Sequence, residues 1–164
     1  MRTSRLAAAA ALSCTAALAL SGCSLLGGNE PERDEEGEIT EASDADAFSV
    51  RVGDCIEPVD WDAEGFSELP VIPCVEEHES EIYASMLMDD GDFPGASAVE
   101  DAAITFCDAE FATFVGVPWD QSELNYSYLG PSQETWEQAD DREILCLILD
   151  PAGLVTGTLE GSAR

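Results

Sequence analysis

The stretch VIPCVEEHESEIY, from Val71 to Tyr83, holds the single histidine of the chain, four residues after a cysteine and amid glutamates. Three chemistries fit those residue types. A Cys–His pair can activate a thiolate nucleophile, thiolate and imidazole are both zinc ligands, and a histidine beside a carboxylate can act as a general base. A zinc site would take Cys55, Cys74, His78 and one further ligand, without the closely spaced cysteine pairs that structural zinc sites use. No nucleophile or oxyanion motif accompanies His78 as a base. The architectural alternative is a histidine hydrogen-bonded to the following strand or to Glu81.

The redox compartment decides among these. Arg2 and Arg5 precede an apolar run from Leu6 to Leu20, shorter than the roughly 20 residues of a bilayer span and suited to a secretory signal. The run ends in Leu20-Ser21-Gly22-Cys23, which looks like a bacterial lipobox with Cys23 as the acylated residue. Residues 1–22 are therefore expected to be a lipoprotein signal peptide. The lipid bilayer becomes a partner through acyl (palmitate-type) chains on Cys23, and the protein faces outward from the cell membrane. Residues 24–47 carry nine acids against Arg33 and no hydrophobic period. Such composition does not offset the entropy of ordering, so residues 23–47 read as the lipidated cysteine and a disordered acidic tether, with one domain over 48–164.

The formal net charge is −29 and the chain has no lysine. So acidic a surface repels nucleic acid. Without lysine there is no Walker A loop, no Ser-x-x-Lys acylase and no Schiff base. Asp89-Asp90-Gly91-Asp92-Phe93 lacks the alternating acids and the terminal glutamate of a calcium loop and reads as a turn. No cofactor or metal is expected.

Phe48 to Val52, Leu69 to Cys74 and Glu81 to Met88 read as strands, with Ile82, Ala84, Met86 and Met88 on one face at period 2. Ser97 and Glu100 have capping-box spacing ahead of a helical stripe of Val99, Ala103, Phe106, Cys107, Phe111 and Phe114 that stops at Gly116. Leu124, Tyr126 and Tyr128 alternate in a strand. Residues 131–141 form a turn-rich excursion anchored by Trp136. Ile144 to Leu149 is apolar on both faces, as in a strand inside a sheet, and Leu154 to Leu159 would close a hairpin with it. The fold class is α+β, one main helix on a mostly antiparallel sheet.

Cys55, Cys74, Cys107 and Cys146 remain in the exported domain, an even number that reads as two disulfides. Of three possible pairings, Cys55–Cys74 and Cys107–Cys146 is preferred, since it closes one local loop and ties the helix to the apolar strand. An oxidised Cys74 offers neither thiolate nucleophile nor ligand. Arg142, nearly isolated among acids, is expected to hold a buried carboxylate, Asp141 or Asp54, and so to order the Trp136 loop.

The ordered set V-G-D-C (Val52–Cys55), V-I-P-C-x-x-x-H-x-x-E (Val71–Glu81), Cys107 in a Phe-rich helix, P-x4-W (Pro131–Trp136) and D-R-x-x-x-C (Asp141–Cys146) resembles the septum formation domain of high-GC Gram-positive bacteria. The resemblance implies that the four cysteines are disulfide-bonded and that His78, Glu81, Trp136, Asp141 and Arg142 are signature positions without an assigned role. Asp140 stands where the resembled pattern usually has glycine. The expected function is a non-catalytic envelope lipoprotein that binds an envelope or septal protein. The rival is a cell-wall-modifying hydrolase using His78 with a carboxylate.

Overall fold

The computed structural model describes residues 29–60 and 67–164. The expected signal peptide and Cys23 lie outside the described residues. The elements are β1 (Ser43–Asp46), β2 (Cys55–Ile56), β3 (Glu68–Ile72), β4 (Ser80–Leu87), α1 (Ala96–Val115), β5 (Asn125–Leu129), α2 (Gln133–Gln138) and β6 (Glu143–Leu149). The strands form one curled antiparallel sheet of order β1-β3-β2-β4-β6-β5. One long helix on an antiparallel sheet makes the fold α+β. No helix among the described residues is long and apolar enough to cross a membrane.

Strand β6 is buried on both faces because two apolar clusters meet on it. Ile144, Cys146 and Ile148 pack with Val99, Ala103, Cys107, Phe111 and Val115 of α1. Leu145 and Leu147 point the other way, into a cluster with Ile39, Ala45, Val50, Ile56, Leu69, Val71 and Ile82. The second cluster relocates the domain boundary. Residues 29–47, expected to be tether, are folded: β1 pairs with β3 in register from Ser43↔Val71 to Asp46↔Glu68, and Arg33 bridges Ile39. A few buried apolar side chains suffice there because neighbouring strands satisfy the backbone.

Four local expectations also change. Phe48 to Val52 lies in turns and loop, part of the connection that carries the chain from β1 across β3 to β2, which runs parallel to β1. In β4 the register shifts between Ile82 and Ala84, so Ile82 joins the second cluster while Tyr83 and Ala84 join the helix-side cluster, where Met86 and Met88 pack. Tyr83 is thereby buried against Phe111 and Phe114, with ring centroids at 6.2 and 5.5 Å. Its hydroxyl donates to the Cys107 carbonyl at 2.7 Å. Burial pushes its pKa well above the ordinary tyrosine value.

Helix α1 begins at Ala96 after Gly95, whose φ of 97° suits glycine, so Ser97 lies inside the first turn and caps nothing. The capping box belongs instead to α2, where Ser132 and Thr135 exchange backbone and side-chain bonds. The tail after Pro151 forms no hairpin with β6. It crosses to His78, bonding through His78 N–H to Val155 O at 2.9 Å and Val155 N–H to His78 O at 3.0 Å. The 131–141 excursion contains α2, with Trp136 buried.

Two disulfides staple the domain, Cys55–Cys74 with a Cα–Cα distance of 5.2 Å and Cys107–Cys146 with 5.5 Å. The second is fully buried and fixes α1 to β6 across a sequence separation of 39. Loop-closure entropy of that size is worth about 4 kcal/mol. The double replacement Cys107→Ala/Cys146→Ala is expected to lower unfolding free energy by about 3–5 kcal/mol in urea titrations, cavity cost included.

Candidate functional site

Strand register builds the His78 site. Cys55 lies directly opposite Glu81 in the β2–β4 ladder, which places both side chains on the same face about 5 Å apart. The turn Pro73–Glu76, closed by Glu76 N–H on Pro73 O at 2.8 Å, brings Cys74 back to Cys55 and delivers His78 beneath the disulfide. One donor atom each of Cys55, His78 and Glu81 lies within 4.8 Å of the others, and all three residues are buried.

The histidine is held in one tautomer. Its Nδ1 lies 2.9 Å from the Glu76 carbonyl, which only accepts, so Nδ1 carries the proton. Nε2, the ring's other nitrogen, has no hydrogen-bond partner among the described residues. Glu81 is equally fixed: Oε1 accepts from the Thr158 hydroxyl at 2.6 Å and Oε2 from the Leu159 N–H at 2.8 Å. Glu76, rather than Glu81, is thus the hydrogen-bond partner of the imidazole. A cleft of about 580 Å³, lined by Gly53, Cys74, Glu81, Gly157, Thr158 and Glu160 among others, opens onto Cys74 and the carboxylate, while His78 lies under it with no solvent exposure.

The other signature residues gather elsewhere. The Arg142 guanidinium stacks 3.9 Å over the Trp136 ring and donates to the carbonyls of Trp136 and Asp141 at 3.0 and 2.8 Å. Its carboxylate partners are the exposed Asp140 at 3.0 Å and Asp90 at 3.5 Å, not Asp141 or Asp54. The Asp141 carboxylate is engaged by the Thr135 hydroxyl and the Glu143 N–H. Asp140 sits at φ 55°, the left-handed conformation that a glycine at this place would adopt freely. Trp136 also donates from Nε1 to Gly91 O at 2.9 Å and meets Phe93 edge to face. Arg142, Trp136 and the 89–95 turn therefore form one structural knot.

A profile of the septum formation family matches residues 29–163. The chain belongs to that family. Membership links this septum formation domain to septation and the cell envelope. Comparison with curated proteins and with solved structures returned no match. The matched span begins at Asn29 and so takes in the residues before Phe48 that pair with β3, rather than starting after a tether reaching 47.

A buried ion pair joins the segment before β1 to the strand region, through Arg33 of the expected tether. Both guanidinium nitrogens reach the Asp54 carboxylate, Nη1–Oδ1 at 2.5 Å and Nη2–Oδ2 at 2.7 Å, and Arg33 also donates to Gly37 O and Ser49 O. Asp54 is 2% exposed, and its hydrogen bond raises the Arg33 pKa further. The one available signal was a lone arginine amid nine acids, upstream of V-G-D-C.

Arg33→Ala strands a buried carboxylate and is expected to cost about 3 kcal/mol in chemical denaturation. Arg142→Ala, whose ionic partners are exposed, removes chiefly the ring stacking and carbonyl bonds. It is expected to cost about 1–3 kcal/mol, with Arg142→Lys recovering little of it. An unchanged thermal midpoint for Arg142→Ala would refute the knot.

Proposed function

We propose that this septum formation domain is a non-catalytic binding module of the outer envelope surface, held at the membrane by acyl chains on Cys23 and engaging a protein partner near the septum. The family match over residues 29–163 carries the reading. Two disulfides in the domain suit an oxidising, exported location, and the lipobox-like Leu20–Cys23 follows a signal-like apolar run. His78 is fully buried and Glu81 is held by Thr158 and Leu159, an arrangement more suited to holding strands together than to meeting a substrate.

Asn29 is already tied to the sheet, its carbonyl accepting from Asp46 N–H and its side chain donating to Glu68. Even fully extended, the span from Cys23 to Asn29 reaches only about 20 Å, so the domain would work close to the headgroups.

Cys23→Ala is expected to shift the protein from the membrane fraction to the medium while leaving its thermal unfolding unchanged. A fluorescent fusion of the parent should concentrate at division sites. The hydrolase alternative makes the opposite demand on His78. A His78→Ala protein that unfolds like the parent yet loses a cell-wall-cleaving activity would overturn the binding-module reading; loss of stability with no such activity in the parent supports it.

A further inference from the structure

We propose that reduction of Cys55–Cys74 converts the His78 site into a tetrahedral zinc site with ligands Cys55 Sγ, Cys74 Sγ, His78 Nε2 and a Glu81 carboxylate oxygen. The donors are already assembled: single atoms of Cys55, His78 and Glu81 lie within 4.8 Å of one another, and Cys74 is bonded to Cys55. Two thiolates, one imidazole and one carboxylate are a donor set that Zn²⁺ accepts in four-coordinate geometry.

The imidazole is an independent pointer. It is fully buried, and Nε2 has no partner among the described residues. An unsatisfied buried polar atom of this kind is costly. Meanwhile Nδ1–H donates to the Glu76 carbonyl, which is the outer hydrogen bond that metal-ligating histidines characteristically make. Glu81 is oriented in the same manner by Thr158 and Leu159. The cleft beside Gly53, Cys74 and Thr158 supplies an approach for reductant and ion.

The redox step balances with a dithiol as reductant. Its thiolate attacks Cys74 Sγ, the sulfur that lines the cleft, and Cys55 leaves as thiolate. The second thiol of the reductant then releases Cys74. Two electrons pass to the cystine and the reductant becomes a disulfide. Zn²⁺ binding to Cys55 and Cys74 expels any proton they have taken up. In the oxidised domain both sulfurs are withheld, so the disulfide masks the site.

The test uses the full chain carrying Cys14→Ser and Cys23→Ser, titrated with Co²⁺ before and after treatment with a phosphine reductant, with excess Mg²⁺ present to occupy the acidic surface. Reduced protein is expected to develop the intense visible bands of tetrahedral thiolate-bound Co²⁺, saturating at one equivalent and displaced by Zn²⁺. Oxidised protein should show none. His78→Ala and Glu81→Gln should abolish or weaken the bands, and Thr158→Val, which loosens Glu81, should weaken binding about tenfold or more. Adding Cys55→Ser/Cys74→Ser should remove the bands although Cys107 and Cys146 remain. Absence of the bands in reduced protein that stays folded by circular dichroism would overturn the proposal, as would bands indifferent to His78→Ala. Should reduction unfold the chain, Co²⁺ is expected to restore its helical signal, and failure to do so overturns the proposal equally.

Discussion

Everything in this domain follows from a strand that is apolar on both sides. Glu143 to Leu149 presents Ile144, Cys146 and Ile148 to one face and Leu145 and Leu147 to the other, and neither set tolerates water. Helix α1 covers the first. Over the second the sheet curls, and β2, β3 and β1 bring Ile56, Leu69, Val71 and Ala45 against it. The amino-terminal segment thus closes part of the second cluster with Ile39 and Ala45, and the Arg33–Asp54 pair anchors it.

How much of this was legible depended on the range over which each signal acts. The α1 stripe, the stop at Gly116 and the strands on either side of His78 are written in dense local patterns. Averaging nine acids over the segment before Phe48 hides Ile39 and Ala45, two side chains whose burial depends on partners far along the chain. The β4 irregularity at Tyr83 escaped for a related reason: period 2 describes an ideal strand, and a one-residue slip exchanges the faces. The tail beyond Pro151 alternates like a strand, yet its partner is His78 and not β6.

The candidate site was half readable. Cys74, His78 and Glu81 were visible as a group. What placed Cys55 opposite Glu81 was ladder register, and what fixed the histidine tautomer was a backbone carbonyl two residues away. Neither leaves a mark in residue types. The same holds for Arg142, whose partners are a ring and two main-chain oxygens as much as any acid. Charge counting along the chain named Asp54 as a partner, but that carboxylate was already committed to Arg33.

The four arginines of the described residues are all engaged within the domain: Arg33 with Asp54, Arg51 with the Gly37 carbonyl, Arg142 with Trp136 and Asp140, and Arg164 with Asp150. In a chain without lysine, positive charge on the described surface is sparse. A basic partner would be drawn in from any direction over about 8 Å at physiological ionic strength. Such attraction hastens encounter but carries little orientation. On the proposed binding-module reading, the choice of docking face would fall to exposed apolar and aromatic side chains such as Trp119, Ile104, Phe48 and Val75.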